Sequence, residues 1–317
     1  MVKDKRILAA LLALVLLCAM AAGCAAKTPE SAGSAAPATL QIPEDAKISY
    51  LGPAGTYTEE AARFFFAAGE FRPKETVEEA IADVTAGAAD YAVIPQENTL
   101  GGAVVNYIDA LIAEKNVSVV GEVILPISQT LMGVPGASVE NIRTVCSHAQ
   151  GIAQSAQWRQ EHMPDAVTEE MASTAAAASY VAETGDPTIA AIAAPGAAEL
   201  YGLSVLAENV QITDANKTRF YVLSLSKPEA QGEGQTHAVF VSSCAASQID
   251  DIIVELHNAG AELVTIHDRP EGSQLGVYHY ILEVEASPDL HDALLKKLET
   301  VPEMQDLGCF PVLEKAS

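Results

Sequence analysis

Between residues 47 and 225 the chain repeatedly runs a short apolar stretch into a glycine-rich or polar turn and then into a helical pattern. This alternation narrows the fold more than any other feature. Strands that alternate with helices pack as α/β layers, and the turns at the carboxyl ends of the strands gather on one edge, where such folds bind ligands. Residues 48–51 lead into Gly52-Pro53-Ala54-Gly55-Thr56-Tyr57-Thr58-Glu59-Glu60 and a helical run over 61–68. Residues 90–95 lead into Gln96-Glu97-Asn98-Thr99-Leu100-Gly101-Gly102, and 141–146 into Ser147-His148-Ala149-Gln150 with a helix continuing through Gln154 and Trp158. Residues 77–86 and the alanine-rich run to Val181 read as further helices. Residues 122–127 and 129–134 read as strands that cross to a second lobe, and 188–193 as a strand before a helix over 195–201. The expected layout is a two-lobed α/β domain.

The first 46 residues belong to a different class. Lys3, Lys5 and Arg6, then an apolar run over 7–20, then Ala21-Ala22-Gly23-Cys24 read as an export signal over 1–23. The apolar run is short for a bilayer span. Small residues ending at Cys24 resemble a lipoprotein cleavage site, which predicts lipidation of Cys24 and an anchor at the extracytoplasmic face of a bacterial membrane; secretion with cleavage near Ala22 or Ala26 is the alternative. Residues 24–46, rich in Ala, Ser and Pro, read as a flexible tether. The formal net charge of −24 becomes −26 once the signal, with its net +2, is removed. A surface this acidic excludes nucleic acid as a partner. An anionic ligand must be held by local donors against the overall field. Of five cysteines, Cys146, Cys244 and Cys309 lie beyond the signal, an odd number that is no disulfide framework; no His and Cys spacing suggests a metal.

The stretch with most chemistry is Asn216-Lys217-Thr218-Arg219-Phe220, between the turn Thr213-Asp214-Ala215 and an apolar strand. A guanidinium grips carboxylates and a hydroxyl donates or relays a proton, so Thr218 and Arg219 entering a strand from a loop can face one cleft. A turn with a solvated arginine is the plainer reading. The glycine turn at 52–56, ahead of a helix capped by Thr58, is a ready anion cradle. Glu97, Asn98 and Thr99 gather a carboxylate, an amide and a hydroxyl at a strand end. Asn98 or Thr99 acting only as a helix cap is the alternative there. His148 suits proton transfer or a cap, and nothing in the chain compels nucleophilic catalysis.

Taken together, Gly52 to Tyr57, Pro95-Gln96-Glu97-Asn98-Thr99, Ser147-His148-Ala149-Gln150, Gln154, Ser173-Thr174, Ala191-Ile192-Ala193, Tyr201-Gly202-Leu203 and Asn216 to Phe220 occur in the order found in prephenate dehydratase. The chain over 47–226 resembles that family. The resemblance implies a catalytic domain like a type 2 periplasmic binding protein, acting on prephenate or arogenate without a cofactor. It also implies site roles. Thr218 is then the proton donor or positions it, Arg219 anchors substrate or holds the loop, and Glu97 with Asn98 completes the catalytic group. Ala54, Gly55, Thr56, Thr99, His148, Gln150, Gln154, Ser173, Thr174 and Phe220 contact substrate. Thr99, Tyr57 and Ala149 stand where the family more often has Ser, Phe and Pro. A solute-binding lipoprotein of the same fold without catalysis is the competing reading.

After a linker at 227–235, residues 236–317 read as strand, helix, strand, strand, helix, strand, a ferredoxin-like βαββαβ order. This region resembles the ACT domain that follows prephenate dehydratase and senses phenylalanine, which implies an effector site at His267, Asp268, Arg269 and Pro270 and a homodimer or higher homo-oligomer. It departs from the family where Cys244-Ala245-Ala246-Ser247 replaces a Gly-Ala-Leu turn and His267-Asp268 replaces Glu-Ser. Cys244 and Cys309 fall on neighbouring strands of this topology, where a disulfide and free thiols are both open.

Overall fold

The computed structural model describes residues 42–226, 234–299, 301 and 303–316. The expected signal, Cys24, all but the end of the tether and most of the linker lie outside the described residues.

In the first lobe β1 (Lys47–Leu51) leads into α1 (Tyr57–Phe65), β2 (Glu70–Lys74), α2 (Val77–Thr85), β3 (Tyr91–Asn98), the short β4 (Gly102–Ala103), α3 (Val105–Ala113) and β5 (Ser118–Pro126). The chain crosses to a second lobe with β6 (Thr130–Gly133), β7 (Thr144–Ser147), α4 (Ala149–Gln154), α5 (Ala156–His162), β8 (Val167–Glu170), α6 (Thr174–Thr184), β9 (Ile189–Ala193), α7 (Gly196–Tyr201) and β10 (Ser204–Ala207). It returns through β11 (Lys217–Ser224). The C-terminal module follows as β12 (Thr236–Ala245), α8 (Ile249–Asn258), β13 (Glu262–Pro270), β14 (Val277–Glu285), α9 (Pro288–Leu298) and β15 (Met304–Glu314). The two-lobed α/β layout and the βαββαβ order are both present. Strand β2 has no counterpart in the sequence reading: its segment, Glu-Phe-Arg-Pro-Lys, carries too little apolar alternation to announce a strand, and it forms by parallel pairing with β1 at the sheet edge.

The second lobe is a five-stranded sheet ordered β10-β6-β9-β7-β8. One face of the sheet packs Ala177, Ala178, Ala191, Ala193, Ala197 and Ala198 around Met132, Cys146 and Val181, and a second cluster holds Leu131, Ile142, Val145, Met163 and Ile192. Small side chains let α6 lie close on the sheet at ordinary packing density. The C-terminal module, by contrast, is not a separate body. One sheet runs in the order β13-β14-β12-β15-β5-β11-β3-β1-β2, joined where β15 pairs in parallel with β5 through Val312 opposite Glu122 and Leu313 opposite Val123. Alternation along β12 explains the junction. Val239 and Val241 face the first lobe and share a core with Ile94, Tyr107, Leu111, Tyr221 and Phe310, whereas Ala238 and Phe240 face the module's own helices through Ile252, Leu256 and Leu294. Both faces are apolar, so β12 is buried between two layers.

Cys244 and Cys309 are free thiols. The strands are neighbours as expected, but Cys309 lies opposite Ala238 and Cys244 opposite Tyr278 on the other side of β12, so the register keeps the sulfurs apart.

Candidate functional site

A cleft of about 290 Å³ opens between the carboxyl ends of strands from the two lobes. The first lobe contributes Leu51, Thr56, Tyr57, Pro95, Asn98, Thr218 and Phe220; the second contributes His148, Gln150, Gln154, Ser173 and Thr174. Its lining carries hydroxyls, amides, an imidazole and apolar groups, and neither a carboxylate nor a lysine or arginine.

Three helix starts frame it. Thr56, not Thr58, caps α1: its Oγ1 accepts from the Glu59 N–H at 3.4 Å, and the Glu59 carboxylate returns to accept from the Gly55 N–H at 2.6 Å, a capping box shifted by one residue. His148 caps α4 through Nδ1, which accepts from the Gln150 N–H at 3.4 Å. Ser173 caps α6, accepting from the Ala176 N–H at 3.0 Å. Positive helix ends aimed at one cleft suit an anion without a formal cation. The cradle expected at Ala54 to Thr56 is reduced accordingly. Gly55 has its N–H occupied by Glu59, Ala54 uses its carbonyl to accept from the Tyr201 hydroxyl at 2.8 Å, and neither lines the cleft. Thr56 remains.

Asn98 is the best-anchored polar group present. Its Oδ1 accepts from the N–H groups of Leu100 (3.1 Å) and Gly101 (2.9 Å) and from Gln150 Nε2 (3.0 Å). Its Nδ2 donates to Asn216 Oδ1 and to Thr218 Oγ1, each at 2.8 Å. Since that nitrogen can only donate, the Thr218 oxygen is used as an acceptor and its own proton is free for the cleft. Gln154 is buried and accepts at Oε1 from Gln129 Nε2 at 3.1 Å. Gln129 and Asn216 both line the cleft, both are buried, and each keeps one polar atom without a partner among the described residues, Gln129 Oε1 and Asn216 Nδ2. Neither stood among the candidate site residues, because an orphan amide is a property of the folded site. Thr99, expected at the substrate, instead ties its hydroxyl to the backbone of Lys217 and does not line the cleft.

Arg219 does not share the cleft with Thr218. Adjacent residues on a strand face opposite ways, so Thr218 and Phe220 point to the cleft while Arg219 and Tyr221 point beneath it. There the guanidinium hydrogen-bonds Glu122 on β5 and Glu283 on β14, and lies 3.8 Å from the Glu97 carboxylate. Glu97 thus pairs with Arg219 away from the cleft lining. His237 on β12 joins the cluster through Nδ1, 2.9 Å from Glu122 and 2.5 Å from Glu283. The Tyr221 hydroxyl donates to Glu283, and Gln96 Nε2 lies 3.0 Å from the same carboxylate. Glu122 and Glu283 are fully buried. Burial alone would depress the imidazole of His237, yet hydrogen bonds to Glu122 and Glu283 hold it up at about 9, and burial alone would raise Glu283, yet His237 and Arg219 hold it down at about 2. Burial and the neighbouring Glu283 push Glu122 up. By residue type Glu122, His237 and Glu283 could bind a metal ion, but Arg219 already spans both carboxylates and supplies the positive charge.

Of the expected effector residues, Arg269 forms a forked pair with Asp109 on α3, at 2.5 and 2.9 Å, and buried His267, its imidazole pushed down by burial, contacts the Tyr107 hydroxyl. Asp268 is exposed beside them and Pro270 ends β13. None of the four lies at the cleft.

The family model described as prephenate dehydratase matches residues 48–228. A prephenate dehydratase of Amycolatopsis methanolica is 34% identical over 271 residues, covering 83% of this chain and 88% of its own. The crystal structure of prephenate dehydratase in complex with L-Phe from Arthrobacter aurescens superposes with a TM-score of 0.75 at 30% identity, covering 83% of this chain and 89% of its own. A structure described as "GqqA- a novel type of quorum quenching acylases" superposes with a TM-score of 0.74 at 28% identity, covering 84% of this chain and 97% of its own.

Proposed function

Because this chain belongs to the prephenate dehydratase family, we propose that its cleft converts prephenate into phenylpyruvate, carbon dioxide and water, a carbon–oxygen lyase step of aromatic amino acid biosynthesis. The bond from the ring to its hydroxyl breaks as the ring carboxylate leaves; the electron pair of the severed carbon–carbon bond completes the aromatic ring, and the departing oxygen takes up one proton. Aromatisation supplies the driving force, so the protein has to orient the substrate, supply that proton and keep the carboxylate's surroundings apolar. The observation that carries this reading is the Asn98 amide donating to Thr218 Oγ1. It occupies a lone pair of the Thr218 oxygen and leaves the hydroxyl proton to be given to the leaving oxygen, and solvent restores the proton afterwards. Gln150, Gln154, Ser173, Thr174, Thr56 and His148 hold substrate oxygens, and Phe220 with Pro95 and Leu51 gives the apolar wall.

The neutral lining favours the keto acid prephenate over arogenate, whose ammonium group would call for a carboxylate partner. Hydrolysis of the kind named for the acylase relative finds little support in the cleft: the hydroxyl of Ser147 donates to the Ile192 carbonyl, and Ser173 caps a helix.

The C-terminal module serves as an ACT domain that takes phenylalanine near His267 to Pro270, a reading supported by the relative solved with L-Phe. Its contacts from His267 and Arg269 to α3 would carry that signal. The mature protein is a homodimer or higher homo-oligomer, a reading that rests on the resemblance of the C-terminal module, and it is lipidated at Cys24 and held at the extracytoplasmic face, a reading that rests on the residues of the N-terminal segment. Incubating purified protein with prephenate and following phenylpyruvate tests the activity. A solute-binding protein would instead give saturable heat on titration while prephenate stays intact, and that outcome would replace the enzyme reading.

A further inference from the structure

Asn216 lies in the cleft with a hydrogen-bond donor that no described residue uses. The orientation of its amide follows from its neighbours. Backbone N–H groups of Leu100 and Gly101 can only donate, so the atom of Asn98 they meet is the oxygen. The other end of Asn98 is then a nitrogen, and the atom of Asn216 it meets at 2.8 Å must be an oxygen. What remains on Asn216 is a buried NH₂ group without a partner among the described residues, on a residue that lines the cleft. Asn216 is only 2% exposed, and buried donors are left unpaired only at a cost.

On the reading that the cleft is a prephenate dehydratase site, we infer that Asn216 Nδ2 donates to the oxygen leaving the ring, beside the Thr218 hydroxyl. Both residues are tethered at 2.8 Å to the one nitrogen of Asn98, which brings their donors to the same side of the substrate. The two donors have separate tasks. Thr218 gives its proton to the departing oxygen; Asn216 keeps its own and stabilises the negative charge that grows on that oxygen as the carbon–oxygen bond lengthens. A donor placed there strengthens as charge develops, so it lowers the barrier and adds little to ground-state binding. The ring carboxylate is the wrong target, because it loses its charge on becoming carbon dioxide and a donor fixed on it would resist the step. This makes Asn216 a catalytic residue of the same site and not a strand-entry spacer.

Asn216→Asp keeps the oxygen that Asn98 needs and deletes the donor, whereas Asn216→Ala deletes both. Phenylpyruvate lacks the leaving hydroxyl and the ring carboxylate but retains the keto-acid side chain, so its affinity by calorimetry reports folding and the contacts to that side chain, while KM for prephenate reports those to the ring carboxylate as well. The expected result is a fall in kcat of about 10²-fold or more in both variants, with KM and the Kd for phenylpyruvate within about threefold of the unaltered protein. If the alanine variant does not fold, the aspartate variant decides alone. A kcat within about threefold of native overturns the assignment. So does a Kd for phenylpyruvate that rises in step with the loss of kcat, which places the donor on the side-chain carboxylate or in the scaffold. Unaltered protein that leaves prephenate intact overturns the enzyme reading and this assignment with it; active native protein with active variants overturns the assignment alone.

Discussion

At the scale of single residues, the pentapeptide Asn216 to Phe220 divides its labour by the pleat. Thr218 and Phe220 face the cleft, and Arg219 faces the buried carboxylates of Glu122 and Glu283. Arg219→Met should therefore act on stability before chemistry. It leaves two buried carboxylates with His237 as their one cationic partner among the described residues, a loss of about 3–5 kcal/mol for a broken buried pair, visible as a large drop in Tm, while the Kd for phenylpyruvate in the folded fraction stays near native. A selective loss of ligand affinity with unchanged Tm would return Arg219 to the cleft. The gathering of these residues was legible beforehand: Asn98, His148, Gln150, Ser173, Thr174 and Thr218 sit in short local motifs at strand ends, Gln154 ends the helix that follows one of them, and the fold brings them to one cleft. Arg219 was expected either to anchor substrate or to hold the loop, and the period-two rule for neighbours on a strand turns it away from the cleft toward Glu122 and Glu283. Thr99, Ala54 and Gly55 looked like ligands because their types suit one, but each already serves the backbone or a helix cap.

At the scale of elements, β11 is the shared piece: one face presents Thr218, and the other is pinned by side chains from β5, β12 and β14. Such a cluster is invisible in sequence, since Glu122, His237 and Glu283 are separated by long stretches and share no motif. Its charge state makes stability depend on pH. His237 titrates at about 9 when folded against an ordinary 6.5 unfolded, so its contribution is complete below about 6.5 and disappears as pH rises through 9. A shift of that size is worth about 3 kcal/mol. Thermal unfolding between pH 6 and 10 should show Tm declining across that window, and His237→Gln should start lower and flatten the decline; an equally steep decline in the variant would place the titrating group elsewhere. A close contact gives a second test. A Cβ at Gly121 of β5 would stand 2.3 Å from the Phe65 ring of α1. Gly121→Ala should cost about 1–3 kcal/mol by overpacking, measured by urea unfolding, and no loss would mean α1 lies farther from the sheet.

At the scale of the whole molecule, the C-terminal module is built into the catalytic lobe. Its order of strands and helices was readable from periodicity and turn residues, but the join was not, because parallel pairing of β15 with β5 and the burial of both faces of β12 are long-range choices. Ending the chain after Ser226 would remove β15, His237 and Glu283 together and expose Ile94, Tyr107 and Tyr221 from the shared core. The expected outcome is insoluble or cooperatively destabilised protein by thermal scan, whereas a truncated chain of native Tm would show that the module is only appended. The account as a whole rests on Thr218 giving its proton in a cleft that takes prephenate. The most direct test compares phenylpyruvate formation by the native protein and by Thr218→Val, which keeps the shape and removes the hydroxyl. Native turnover, with kcat in the variant lower by about 10²-fold or more and phenylpyruvate binding unchanged, is the result predicted; equal turnover by the two proteins would contradict it.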